Sequence, residues 1–239
     1  MKKDKGALPW PKLIQGTLLR RYKRFIADVE LEDGTVVSAH CPNSGRMTGC
    51  SDPGSPVWIS PASNPKRKLK YTLEMIKMPD SLVGINTGVP NKLVAKAIED
   101  QVIPELSGYG GLRMEVPYGA NSRVDIMLSE EGRRDCLVEV KNCTLVEDRR
   151  AMFPDAVTAR GLKHLEELEK ALSQNKRSVM FFLIQRMDAD VFAPADHIDP
   201  AYGAALRRVC ANGVEALAWD VDMDLNSLRL NRPLPCDLS

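Results

Sequence analysis

The chain has 239 residues, 44% hydrophobic, 27% charged and with a formal net charge of +1, enough for one large domain or two smaller ones. No run approaches the ~20 apolar residues that cross a bilayer, and the basic start Met-Lys-Lys-Asp-Lys-Gly lacks the apolar stretch of a secretory signal. Six scattered cysteines without C-x-x-C spacing argue against a disulfide framework or a zinc finger, so we expect a cytoplasmic protein with reduced thiols and no membrane contact.

The small net charge conceals a basic first half. Residues 1–90 carry 14 Lys and Arg against 8 Asp and Glu, a net of +6, whereas the remainder carries 19 against 24, a net of −5. This asymmetry predicts that the first half contacts a polyanion. Ordinary variation of surface charge is the alternative explanation.

Short strands separated by turns are predicted for the first 88 residues, with Glu32-Asp33-Gly34 as a strong hairpin turn. Many short strands within about 75 residues indicate a small barrel, so we assign residues 1–88 to an OB-like β-barrel that binds nucleic acid. The predicted strands are Leu13–Arg21, Phe25–Leu31, Val36–Cys41, Val57–Ser60, Tyr71–Lys77 and Leu82–Asn86.

Two basic clusters in the barrel region are candidates for nucleic-acid contact. The neighbouring Tyr22 and Phe25 have rings that can stack on bases. The alternative is that Phe25 belongs to the core and the arginines only solvate a turn. The clusters are Arg20, Arg21, Lys23 and Arg24, then Lys66, Arg67 and Lys68.

The loop from Cys41 to Cys50 is rich in glycine and small polar residues and carries Arg46. Such a loop can present backbone N–H groups and an arginine to an anion. It is not a P-loop, because the lysine and the glycine spacing are missing. A tight connection between strands is the simpler interpretation.

Residues 89–239 are predicted to form a second, α/β domain, with a helix over Asn91–Val102 and a strand around Glu115. The continuous apolar run of residues 178–184 is typical of a central buried strand. The order is strand, strand, strand, helix, strand, helix, strand. After the first strand come a hairpin over residues 123–141, a long helix starting near Asp155 as its cap, the buried strand, a helix over Ala201–Asn212 and the strand Glu215–Val221.

The hairpin carries the most informative residues. Side chains alternate along a strand, so Glu139 and Lys141 share a face, roughly 6–7 Å apart. Folding about Gly132, the one glycine of the turn, places Asp125 directly opposite Glu139, with Cβ atoms about 4.5–5.5 Å apart. A slip of one residue would put the two carboxylates on opposite faces.

This geometry predicts a metal site. Two carboxylates so close repel each other unless a cation lies between them. Mg²⁺ takes oxygen ligands and often uses one or two carboxylates together with water and substrate phosphate. Lys141 would then hold the attacking water or stabilise charge on a phosphate. The pattern therefore predicts Mg²⁺- or Mn²⁺-assisted hydrolysis of phosphodiesters, although a Glu–Lys ion pair on a solvated strand face gives the same sequence.

The pattern Asp125…Glu139-x-Lys141, with a helix following, resembles the PD-(D/E)XK nuclease superfamily. Val124 stands where the name-giving proline would be. The resemblance implies Glu115 as a further acidic metal ligand. Arg160 and His164 lie one turn apart on the predicted helix and are candidates to reach a phosphate, or else are surface polar residues.

Nearly the whole chain resembles the sugar fermentation stimulation protein A family. This resemblance implies an N-terminal OB-like barrel and a C-terminal PD-(D/E)XK nuclease-like domain with a mixed central sheet flanked by helices. It also implies binding to DNA without sequence preference and a role in regulating maltose and other sugar utilisation genes. The carrying segments are Leu18–Phe25, His40–Cys50, Ser122–Asp125, Val138–Lys141, Phe153–Ala156 and Arg160-Gly161-x-x-His164.

Three functions remain open from the sequence: a DNA-binding protein, an active nuclease using Asp125, Glu139 and Lys141, and a binding module that has lost turnover. A sugar sensor is a weaker fourth, because the sequence has no distinctive carbohydrate-binding pattern.

Overall fold

The computed structural model describes residues 5–118 and 122–239. Within these described ranges, the first part of the chain consists of strands and their connections, and three α-helices follow in the second part. The first strands are β1 (Leu8–Pro9), β2 (Ile14–Tyr22), β3 (Ile26–Leu31), β4 (Val36–His40), β5 (Pro56–Pro61), β6 (Tyr71–Lys77) and β7 (Leu82–Gly84). The later elements are α1 (Pro90–Glu99), β8 (Gly111–Tyr118), β9 (Ser122–Ser129), β10 (Cys136–Cys143), β11 (Leu145–Glu147), β12 (Arg150–Phe153), α2 (Ala159–Ser173), β13 (Arg177–Ile184), β14 (Val191–Pro194), α3 (Pro200–Ala211), β15 (Glu215–Met223) and β16 (Ser227–Leu234).

The predicted N-terminal barrel is confirmed. Five strands lie in the order β4-β3-β2-β5-β6, and a parallel pairing of β4 with β6 closes the ring, with β7 extending from β6. This is the five-stranded Greek-key arrangement of an OB-fold. Buried aliphatic side chains fill the interior, as expected for a small barrel; examples are Leu18, Val29, Val57, Ile59 and Leu73.

The predicted α/β domain is also confirmed. Its seven-stranded sheet has the order β1-β16-β15-β13-β10-β9-β8. Strands β10, β13 and β15 are mutually parallel and the others antiparallel, so the sheet is mixed. The central β13 is an apolar run because both of its faces are covered. Helix α1 packs with the core on one face, and α2 and α3 pack with the core on the other.

Three features differ from the sequence-based expectation. Strand β1 leaves the barrel region and pairs with β16, Leu8 lying opposite Leu228. The short strands β11, β12 and β14 form a separate small sheet. The expectation that Asp155 caps the long helix is wrong, since α2 begins later and Thr158 is its cap, accepting a 3.0 Å hydrogen bond from the N–H of Gly161.

Within residues 5–118 and 122–239, no helix has both the length and the apolar character needed to cross a membrane.

Candidate active site

The hairpin has the register predicted from Gly132. Strands β9 and β10 pair Cys136 with Leu128 and Val138 with Ile126, and the described ladder ends there, one residue before Asp125 and Glu139. Gly132 adopts a positive φ of 74° in the turn, a conformation in which glycine carries no steric penalty.

The strand alternation breaks at Asp125. Val124 packs in the core on the α2 side of the sheet, whereas Ile126 packs in the core on the α1 side, although residues two apart in a regular strand share a face. In the described pairing of β8 with β9, the ladder runs from Met114↔Ile126 to Val116↔Val124 without the intervening pair. Glu115, in that gap, has a φ of 54°, a strained conformation for a non-glycine residue of the kind that collects at functional sites.

Two hydrogen bonds hold the Asp125 carboxylate. It accepts 2.8 Å bonds from the backbone N–H of Val140 and from the side-chain amide of Asn91 on α1. Burial and then the negative charge of Glu139 raise the pKa of Asp125 to about 6. The ionised form is therefore disfavoured in the absence of a cation.

Glu139 is 4% exposed and is held by two partners. Its Oε1 lies 2.6 Å from the Lys141 Nζ and in hydrogen-bond contact with Nδ1 of His164 on α2. Burial raises the pKa of Glu139, but the His164 hydrogen bond and the Lys141 charge oppose it, and the net pKa is lowered. Glu139 is thus the ionised member of the carboxylate pair.

Three side chains surround the His164 ring. The Nε of Arg160 donates to Nε2 of His164 at 3.4 Å, since a guanidinium can only donate. Nδ1 of the ring lies 3.0 Å from the Lys141 Nζ and contacts the Glu139 carboxylate. In this way Arg160, in the first turn of α2, holds the orientation of the ring that contacts the carboxylate.

The predicted catalytic residues share one cleft of about 220 Å³. Asp125, Glu139, Lys141, Arg160 and His164 all line it, together with Asn91, Thr87 and Asn142. The structure therefore brings together residues from β9, β10 and α2 that lie up to 39 positions apart in the chain. Sequence reasoning missed Asn91, since an asparagine in the first turn of a helix carries no spacing signal.

Glu115 lies at the edge of this site. Its carboxylate is 3.5 Å from the Asn91 amide that also binds Asp125. Among the described residues, no group of three Asp, Glu, His or Cys side chains is arranged to hold a metal ion. The role of Glu115 as a third ligand stays a prediction.

The basic cluster at the β2–β3 turn divides into two kinds of residue. Arg20 forms an ion pair with Asp28 at 2.8 Å and stacks on the Tyr22 ring. Arg21 donates to the backbone carbonyls of the 41–50 loop, at 2.8 Å to Asn43, 2.8 Å to Gly45 and 3.1 Å to Arg46. Lys23 and Arg24 are exposed at the turn with φ values of 50° and 63°.

The second basic cluster lies in the β5–β6 connection. Lys66 and Lys68 are exposed, whereas Arg67 donates to the hydroxyl of Thr72 at 3.0 Å. Arg46 is exposed in the 41–50 loop. None of these four residues lines the carboxylate cleft in the described structure, so any nucleic-acid contact that they make lies outside that cleft.

The 41–50 loop binds an anionic group of the protein itself, the carboxylate of Asp155. The backbone N–H of Met47 donates 2.9 Å to Asp155, which follows β12 in the other domain. Glycine at position 45 allows this close approach, because a Cβ atom would lie 2.4 Å from the Asp155 Oδ2 and displace it. Together with the Arg21 bonds to the loop, this contact forms an interdomain clamp of Arg21, residues 43–47 and Asp155.

Asp155→Ala is expected to lower the free energy of unfolding by about 1.5–3 kcal/mol, the range for a hydrogen bond to a charged group. Chemical denaturation with urea measures this loss. Asp52→Ala, at an exposed position of the same loop region, is the control and should stay within about 0.5 kcal/mol of wild type. Equal stability of the two variants would show that the clamp contributes nothing.

Comparison with known proteins agrees with this architecture. The chain matches the family models "SfsA N-terminal OB domain" over residues 19–85 and "Sugar fermentation stimulation protein RE domain" over residues 88–227. It is 55% identical over 229 residues to a sugar fermentation stimulation protein homolog of Geobacter metallireducens, covering 95% of this chain and 98% of that protein. A homolog from Geobacter sulfurreducens is 55% identical over 228 residues, covering 95% and 97%.

The structure is similar to that of SfsA from Pyrococcus furiosus, solved in complex with Ca²⁺. The two superpose with a TM-score of 0.87 and 26% sequence identity, over 96% of this chain and 98% of the archaeal chain. Both domains of the fold are therefore shared with that protein. The chain belongs to the sugar fermentation stimulation protein family.

Proposed function

We propose that this protein is a DNA-binding, metal-dependent phosphodiesterase. The observation that carries the proposal is the meeting of Asp125, Glu139 and Lys141 in one cleft. Two carboxylates can hold a hard divalent cation, and an ammonium beside them can stabilise the negative charge of a phosphodiester.

The residues of the cleft fit a hard divalent cation. Asp125 and Glu139 supply the oxygen ligands that Mg²⁺ and Mn²⁺ prefer. The raised pKa of Asp125, caused by burial and by Glu139, supports the same conclusion, since a cation would relieve the repulsion between the two carboxylates. The relative from P. furiosus is described in complex with Ca²⁺, which also takes oxygen ligands.

A Mg²⁺ or Mn²⁺ ion at this site would polarise a phosphoryl oxygen and generate a nucleophile from water at neutral pH. The protein's own residues supply position and charge. Lys141, fixed by Glu139, is placed to orient the attacking water and to stabilise negative charge on the phosphate. Arg160 at the start of α2 lies where the helix dipole also favours an anion. Asn91 and the N–H of Val140 fix the Asp125 carboxylate.

A cleavage assay tests this proposal. Purified protein is incubated with labelled single-stranded, double-stranded and branched DNA and with RNA, in Mg²⁺ or Mn²⁺. Cleavage of any substrate that requires the cation supports the proposal. An intact substrate in every reaction would refute the hydrolytic part and leave DNA binding.

A second observation supports DNA binding by the barrel itself. The exposed cations Lys23 and Arg24 lie in the loop between the first and second barrel strands, and Lys66 and Lys68 lie between the fourth and fifth. OB-folds bind oligonucleotides with these two loops and the adjoining strand face. Contacts to phosphates carry no sequence information, which agrees with binding that has no sequence preference. A regulatory effect on sugar genes would then follow from DNA binding.

Lys66→Ala/Lys68→Ala is expected to weaken DNA binding for all sequences alike and to reduce the slope of log K against log salt by about 2, because two phosphate contacts are lost. Fluorescence anisotropy over a salt series measures this slope. Lys170→Ala/Lys176→Ala, which removes two cations around the end of α2, should keep the wild-type slope. Salt-independent binding by the wild type would contradict the barrel's role.

A further inference from the structure

A second cleft adjoins the carboxylate cleft at the domain boundary. It has a volume of about 350 Å³ and lies between the 41–50 loop of the barrel and the segment from Phe153 to Thr158. Thr87 and Asn142 line both clefts. The two clefts are therefore neighbours along one groove, and a chain bound in one passes Thr87 and Asn142 to enter the other.

The walls of this second cleft are fixed relative to each other. The clamp between Met47 and Asp155 joins the barrel loop to the opposite wall at 2.9 Å. Thr87, in the connection between the domains, also donates to the carbonyl of Pro42. The cleft is thus built by contacts between the domains.

A buried amide side chain lines this space. Asn43 is 5% exposed and lines the cleft. Its Oδ1 accepts a 2.8 Å bond from the N–H of Gly45, which holds the side chain in place in the cleft wall. An amide group also carries N–H donors, so Asn43 is suited to a ligand with a hydrogen-bond acceptor on its edge.

The charge and polarity of the lining select the type of ligand. Asp155 lines the cleft and its negative charge disfavours an anion there, whereas Arg24 lines the same cleft from the exposed β2–β3 turn. Val157, also in the lining, is 75% exposed, and Phe25, next to Arg24, is 47% exposed. A neutral ring with polar edges fits the cleft, while a phosphate fits beside Arg24.

From these features we propose that the second cleft holds one unpaired nucleobase of the DNA strand whose phosphate lies at the carboxylate site. The volume is at the lower end of small-ligand pockets, which span about 300–1,000 Å³, and a base inside it cannot be paired. The preferred substrate is therefore single-stranded DNA or a strand end that opens from the duplex. This inference rests on the proposed function and adds the strandedness of its substrate.

Val157→Asp tests the inference, because it places a negative charge at the cleft without altering the carboxylate site. Fluorescence anisotropy is measured in Ca²⁺ with a labelled single strand of about 15 nucleotides, within the range that OB-folds cover, and with the blunt duplex of the same sequence. We expect the single strand to bind wild type at least tenfold more tightly than the duplex. We expect Val157→Asp to weaken single-strand binding about tenfold, as loss of one stacked base would.

Two further variants keep the outcome interpretable. Leu225→Asp makes a similar change at an exposed residue of the β15–β16 turn and should bind as wild type does. Arg24→Gln should weaken binding of the single strand and lower its salt dependence. Equal affinity for duplex and single strand, or unchanged binding by Val157→Asp, overturns the nucleobase site while DNA binding stands. Failure of wild type to bind either DNA overturns the proposed function itself.

Discussion

Lys141→Gln is expected to reduce the rate of DNA cleavage by about 10²–10³-fold, the effect of removing one group that stabilises charge in the transition state. The Lys141 side chain is 13% exposed, and its Nζ lies 2.6 Å from the Glu139 carboxylate. Its positive charge is therefore held at the carboxylate site. Glutamine keeps a hydrogen-bond donor for Glu139 but removes the positive charge. Single-turnover cleavage of a labelled oligonucleotide in Mn²⁺ measures the rate.

The matched control is Lys163→Gln, which alters a lysine that also pairs with a glutamate, Glu167, on the exposed side of α2. Its cleavage rate should equal that of wild type. Removing one partner of a buried ion pair destabilises a protein. The double variant Glu139→Gln/Lys141→Met removes both charges and leaves neither unpaired, so it separates loss of the catalytic group from loss of folding. Groups that act together are not additive, and the double variant should be no slower than either single change. Undiminished cleavage by folded Lys141→Gln would assign the activity to another site.

The site residues on the hairpin could be predicted because their arrangement is local. One glycine in the turn and two alternating strands set the register, and that register determines which side chains meet. The predicted register agrees with the observed pairing of Val138 with Ile126. The break in alternation at Asp125 was not predictable, because it depends on the left-handed conformation of Glu115 on the neighbouring strand.

Contacts between segments far apart in the chain could not be predicted from sequence patterns. Asp155 follows Phe153-Pro154, a position typical of a helix cap, yet its carboxylate binds the N–H of Met47, 108 residues earlier. Strand β1 has two residues and pairs with a strand that follows it by more than 200 positions. Neither contact has a periodic signal, since each depends on how the two domains pack. Arg21 is a similar case, where a residue of a basic run is used for the interdomain clamp.

Asp125→Asn is expected to stabilise the metal-free protein while abolishing its response to divalent cations. Burial and the Glu139 charge raise the pKa of Asp125 to about 6, above the value of about 3.9 in an unfolded chain. A carboxyl group with a raised pKa binds its proton more tightly in the folded state, so wild type loses stability as the pH rises from about 4 through 6. Because the side chain is only partly buried, we expect a loss of about 1–2 kcal/mol, which asparagine avoids.

Thermal unfolding with and without cation measures both effects. In EDTA at neutral pH the variant should melt higher than wild type by about 2–4 °C for each kcal/mol, and the difference should vanish near pH 4. Mg²⁺ or Mn²⁺ at about 100 times its Kd should stabilise wild type by about 2.7 kcal/mol and leave the variant unchanged. Asp135→Asn, in the same hairpin but paired with Lys176, should retain the full cation response. If Asp125→Asn still gains stability with the cation, Asp125 is not a ligand. If Asp125→Asn loses the response while Asp135→Asn keeps it, the ion lies between β9 and β10.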